Sequence, residues 1–333
     1  MRALYGVSLF VCVGRLYMKG LEAVLRRLRQ FPVALALIGA AAAIASSGCG
    51  GSEDPTKLID QTFGSKAPIK SGKLGILIAV DSKGTAGING PLKIKLAGPF
   101  EGQGENKLPK FDFKITLGMS GQSIGVGLLS TGDGAFVSFG GQSYELSPKT
   151  FASFEKGFAQ SQAQADKTKS NQILATLGID PRDWLKDATV KGNKTIGDTE
   201  TIQVNAAIDI PKLLNSLTTV LGKASSVTGA IKQIPQSLSA EELSALQKAI
   251  TSATFDVYTG KEDKILRRLV IEIEVKDSKG RVGALDVTVD LSEVNVPQTI
   301  KAPANAVPFS DLSSVLKTIG LGGLTGALEG SGG

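Results

Sequence analysis

Residues 265–276 read Ile-Leu-Arg-Arg-Leu-Val-Ile-Glu-Ile-Glu-Val-Lys, and in their second half Leu269, Ile271, Ile273 and Val275 alternate with Glu272, Glu274 and Lys276. A period of two sends successive side chains to opposite faces of a strand, so one face is apolar and the other is wet. The same rhythm runs upstream. Leu74, Ile76, Ile78 and Val80 alternate with smaller residues. Leu92, Ile94 and Leu96 alternate with Lys93 and Lys95, and Phe111, Phe113, Ile115 and Leu117 with Asp112, Lys114 and Thr116. Turn-forming clusters at 81–84, 98–99, 132–134 and 140–141 separate these runs, as hairpins require. The first half is therefore expected to be an antiparallel meander. Further strands are expected at 188–194, 200–209, 254–259, 265–276 and 282–291.

Helices are expected between the strands. Ser147-Pro148 supplies an N-cap and a proline at the first helical position, and Phe151, Phe154 and Phe158 then recur at spacings of three and four, forming one aromatic stripe. Asp180-Pro181 opens a short helix holding Trp184, and Pro211 begins one with Leu213, Leu214, Leu217, Val220 and Leu221 on one side. Ser239-Ala240-Glu241-Glu242 is a capping box for a further helix. Strands, helices, strands, helices and strands in that order argue an α+β fold, with one curved antiparallel sheet packed over several helices.

The N-terminal region has a different character. Arg26, Arg27 and Arg29 precede an apolar run from Phe31 to Ala45, and Ser46-Ser47-Gly48 leads into Cys49. This resembles a bacterial lipoprotein signal peptide, with Met18 the more natural start. The resemblance implies cleavage after residue 48, a thioether-linked diacylglycerol on Cys49, and a protein anchored to the extracytoplasmic face of a cell membrane. Fifteen apolar residues are also too few for a bilayer core that needs about 20. The organisation expected is a leader over 1–48, a lipidated cysteine and flexible Gly/Ser tether over 49–72, a domain over 73–309 and a Gly-rich tail over 310–333.

Processing changes what the composition means. The chain has 333 residues and a net charge of +6, but six of its 37 Lys and Arg precede Cys49, against one of its 31 acidic residues. The mature 285 residues carry 31 basic and 30 acidic groups, which removes charge as a reason to expect nucleic acid as a partner. Cys12 leaves with the leader and Cys49 is blocked by its lipid, so no disulfide is expected.

A second resemblance rests on Gly197-Asp198-Thr199-Glu200-Thr201-Ile202-Gln203-Val204 followed by Asp209. It continues through Phe255-Asp256-Val257-Tyr258-Thr259-Gly260-Lys261-Glu262-Asp263-Lys264-Ile265-Leu266-Arg267-Arg268, and ends on Val294-Asn295-Val296-Pro297 with Lys301-Ala302-Pro303. Over 171–303 the chain resembles the mycobacterial LppX/LprG-type lipoproteins, whose fold is similar to the lipoprotein carrier LolA, a half-barrel sheet wrapped around helices. The resemblance implies an apolar, lipid-like ligand held between sheet and helices. Candidate lining residues are Phe113, Ile115, Val204, Ile208, Leu269, Ile271, Ile273, Val287 and Val289 on strands, with Phe151, Phe154, Phe158, Leu217 and Leu221 on helices.

Catalysis is not expected. The chain contains no histidine. Gly121-Gln122-Ser123-Ile124-Gly125 matches the nucleophile-elbow pattern, but that pattern needs a strand-to-helix turn and a histidine base. Carboxylates alone, with no Ca2+-binding loop, suggest neither a metal nor another cofactor. Two readings stand: the tethered carrier or chaperone for a lipid or glycolipid that the resemblance implies, or an envelope sensor or interaction module with a packed interior and a protein partner.

Overall fold

The computed structural model describes residues 53–64, 68–82, 91–104, 107–119, 121–165, 180–216, 239–276 and 280–312. Twelve strands form one open sheet: β1 (Ser71–Ser82), β2 (Leu92–Glu101), β3 (Lys110–Met119), β4 (Gln122–Ser130), β5 (Ala135–Phe139), β6 (Gln142–Glu145), β7 (Leu185–Ile196), β8 (Thr199–Ile208), β9 (Ile250–Gly260), β10 (Leu266–Lys276), β11 (Val282–Ser292) and β12 (Ala306–Pro308). Their spatial order is β12-β6-β5-β4-β3-β2-β1-β11-β10-β9-β8-β7. Every neighbouring pair is antiparallel except β12 on β6. The α+β class and the N-terminal meander expected from the alternation are therefore present, with β1 to β6 laid side by side in chain order. The β5–β6 connection is two residues, Gly140 and Gly141, with φ of 60° and 85°. Positive φ at both positions matches the twist of the flanking strands and favours glycine there.

Among the described residues, helices α1 (Pro55–Gly64), α2 (Pro148–Ala165), α3 (210–216) and α4 (Ala240–Ala249) accompany the sheet, with one short helical turn over 309–312. A 3-10 turn, Pro181–Asp183, precedes β7. Side-chain caps open α2, α3 and the 3-10 turn. Ser147 Oγ accepts from the backbone N–H of Thr150 at 3.2 Å, Asp209 Oδ1 from Lys212 at 3.2 Å, and Asp180 Oδ1 from Arg182 at 3.1 Å.

Within the segment expected as a tether, residues 55–64 depart from that expectation. Asp54 Oδ1 accepts from the N–H of Thr56 at 2.9 Å and of Lys57 at 3.3 Å, which starts α1. The helix then buries Leu58, Ile59, Thr62 and Phe63, with Leu58 and Phe63 each only 1 % exposed. Burying each of these two large side chains contributes about 1.5–3 kcal/mol relative to leaving it in water, so 55–64 is part of the fold. The tail is corrected in the same way at its start: residues 309–312 are helical, with Phe309 and Leu312 buried.

Two separate cores result. In the larger, α1 and Trp184 pack on β7, β8, β9 and β10 through Ile202, Val204, Ile208, Phe255, Val257 and Leu269. Phe255 is completely buried, with the rings of Phe63 and Trp184 each 6.2 Å away. The smaller core lies across the sheet, where Ala135 and Val137 of β5 meet Leu146, Phe151, Phe309 and Leu312.

Candidate functional site

Between these cores lies a stretch of sheet whose register determines its character. Residues directly opposite in an antiparallel pair share a face. Ile76 pairs with Val289 on one side and Leu96 on the other, and Ile78 pairs with Val287 and Ile94. Leu96 pairs in turn with Ile115, and Ile115 with Val126. In the other direction Val289 pairs with Leu269, Val287 with Ile271, and Ile271 with Phe255. One apolar face therefore runs unbroken from β8 to β4.

Its cover changes along the way. Under α1 the side chains are nearly sealed, as with Val204 and Val257 at 1 % and 0 % exposed. Over β11, β1, β2 and β3 the same face is only half-buried at Val287, Ile76, Ile78, Leu96 and Ile115, and Ile94 and Ile124 reach 36 % and 39 % exposure. The reverse face carries the charges. Lys93, Lys95, Asp112, Lys114, Glu272, Glu274 and Asp286 are all exposed there. Arg268 spans β10 and β11 to Asp290, with Nε 2.5 Å from Oδ1. Asp256 accepts from Gln203 at 2.7 Å and Asn205 at 3.1 Å. Burial, with Asp256 nearby, holds the phenol of Tyr258 above its ordinary pKa.

The sequence-predicted residues divide among these environments. Phe113, Ile115, Ile271, Ile273, Val287 and Val289 come together on the apolar face, partly buried. Val204, Ile208 and Leu269 lie on it too, but at 1 %, 2 % and 3 % exposure they are packed into the larger core. The aromatic stripe of α2 does not turn onto the sheet as a unit. Phe151 is buried in the smaller core and Phe158 is half-buried, whereas Phe154 is 38 % exposed. Phe151 also lines a cleft of about 350 Å³ rimmed by Asp133, Glu145 and Glu155. Cys49, Leu217 and Leu221 lie outside the described residues.

Sequence reasoning missed α1 and the role of Trp184. The available signal was Asp54-Pro55, the same opener as Asp180-Pro181, followed by Leu58, Ile59 and Phe63 at helical spacing. Trp184 sits edge-on to Phe255, and its buried Nε1 has no hydrogen-bond partner. Beside it Arg182 donates from Nε to Asp180 at 2.8 Å. Burial pushes the Asp180 carboxyl up, but the hydrogen bonds and charge of Arg182 outweigh it and hold the pKa below the usual carboxylate value.

Ser123 sits at the start of β4, opposite Gly118 and exposed, so the G-x-S-x-G stretch falls on a strand-to-strand hairpin. Among the described residues no group of three or more carboxylates or thiols is placed to hold a metal, and no helix is long and apolar enough to cross a membrane.

No family model matches the chain, and no curated protein matches it. Among solved structures it is similar to LprF from Mycobacterium bovis, at 16% identity and a TM-score of 0.37, covering 77% of this chain and 100% of that one. It is similar to the lipoprotein LppX from Mycobacterium tuberculosis at 11% identity and a TM-score of 0.31, covering 72% of this chain and 92% of that one. A LolA superfamily protein from Nitrosomonas europaea is similar at 11% identity and a TM-score of 0.19, covering 73% and 93%.

Proposed function

We propose that this chain is a lipid-anchored envelope protein that holds an apolar, lipid-like ligand against the half-buried centre of its sheet face, acting as a carrier or chaperone by binding alone. One observation carries the reading: the apolar face continues in register across β10, β11, β1, β2, β3 and β4, yet its central side chains remain partly in water while both ends are packed. Contiguous exposed apolar surface costs free energy unless something covers it, and an acyl chain supplies that cover without requiring polar partners. The strip holds no charged side chain at its register positions, which suits a hydrocarbon and gives no purchase to a polar substrate. The sequence of Cys49 and its leader supports the anchor, placing the protein on the extracytoplasmic face of the membrane. The absence of histidine from the chain supports a role without acid-base chemistry.

The test is native mass spectrometry of the chain from Gly50 onward, purified without detergent. A bound species of lipid mass is expected, displaced in Ile78→Lys, which puts a charge in mid-strip. A ligand-free protein whose folded population binds no added phospholipid would instead favour the interaction-module reading.

A further inference from the structure

We infer that the end of the sheet bearing the β9–β10 turn is an interaction surface for the phospholipid bilayer that holds the anchor, so that the chain stands on the membrane in one fixed orientation; this rests on the lipidated Cys49 proposed above. The first step is the length of the leash. Three residues, Gly50, Gly51 and Ser52, separate Cys49 from Glu53, at most about 14 Å of extended chain from one Cα to the other. The second is what the leash is tied to. Glu53 pairs with Lys264 of the β9–β10 turn, 3.0 Å from Nζ to Oε1, and α1 begins two residues later. That helix is locked to the sheet, since Thr62 and Thr259, both fully buried, share a hydrogen bond of 2.6 Å beneath it.

A long flexible tether would leave the domain free to tumble over the membrane. Here the described structure begins only a few residues from the acylated cysteine, and its first helix enters the core at Leu58. The β9–β10 turn is thereby confined to the neighbourhood of the headgroups. The adjacent β7–β8 turn at Gly197-Asp198 lies at the same end, because Thr201 pairs with Gly260. Gln122, at the β3–β4 turn, lies at the opposite end of strands about 30 Å long. The membrane-side turn carries Lys261, Glu262, Asp263 and Lys264, a mixed polar surface suited to headgroups and not to the hydrocarbon interior.

The processed chain keeps no free thiol, so a single introduced cysteine can carry a fluorophore. The full lipidated protein, as Glu262→Cys or as Gln122→Cys, would be labelled and reconstituted in phosphatidylcholine and phosphatidylglycerol vesicles containing a headgroup-attached quencher. Both positions are exposed, so either variant is expected to fold. Quenching is expected to be several-fold greater at position 262 than at 122, and to become equal when a long Gly/Ser insert is placed between Gly51 and Ser52. Equal quenching in the native-length chain would overturn the orientation while leaving the anchor intact. A difference that survives the insert would overturn the leash as its cause. Chain that does not stay with the vesicles would overturn the anchor itself, and the orientation with it.

Discussion

The β7–β10 end of the sheet and its β11–β3 centre are built from the same alternating sequence and meet different fates. At the end, Val204, Phe255 and Val257 are sealed by α1 and Trp184. In the centre, Ile76, Ile78 and Leu96 occupy equivalent register positions and keep part of their surface in water. Alternation settles which face a side chain takes. Whether that face becomes core depends on what packs over it, and ten residues of helix make the difference here.

The comparison breaks most visibly at its sealed end. Phe63→Ala removes a ring 1 % exposed and tilted against that of Phe255, and is expected to cost about 3–5 kcal/mol. Ile76→Ala in the centre is expected to cost clearly less, because its neighbours are already partly hydrated. Thermal melts of the two variants check the ordering, and equal losses would mean that the centre is as well packed as the end.

A smaller effect is expected where β2 approaches β3. A Cβ on Gly98 would lie 1.8 Å from the carbonyl oxygen of Asp112, so Gly98→Ala forces the two strands apart. A loss of about 1–3 kcal/mol is expected, in the range of other overpacking changes. Denaturant unfolding gives the value, and a neutral result would show that the centre yields freely to added volume.

The smallest effect concerns Asp180 and Arg182 beside Trp184. Because the folded pKa of Asp180 lies below its unfolded value, the pair's contribution is full above the unfolded value near 3.8 and is lost as the pH falls through the folded one. Both groups are partly exposed, so the contribution is about 1 kcal/mol or less after screening by solvent. Wild type is expected to lose more stability than Asp180→Asn between pH 5 and 2, a window set by that lowered pKa. Parallel acid titrations of the two proteins would show it.

The strands were legible in the sequence because lysine and glutamate mark the wet positions plainly, as in Lys93, Lys95, Glu272 and Glu274. The caps at Ser147 and Asp180 were legible for the same local reason. α1 was not, since its ten residues carry only Leu58, Ile59 and Phe63 as large apolar groups and follow a Gly/Ser stretch that reads as linker. The candidate site was half legible. Periodicity put Ile115, Ile271 and Val289 on one face, but it could not separate them from Val204 and Leu269, because burial under a helix leaves no mark on a strand's own sequence. Phe154 shows the converse, a residue in good helical phase whose face is left in solvent.

The central claim is that an apolar ligand lies on the middle of the sheet and not in its packed ends. Photocrosslinking with a diazirine-bearing phospholipid, followed by peptide mapping, tests it most directly. The account predicts adducts on β1, β2 and β3, at or beside Ile76, Ile78, Leu96 and Ile115, with the peptides of β8 and β9 unmodified. Adducts confined to the α1-covered strands, or none above the level given by Ile78→Lys, would contradict it.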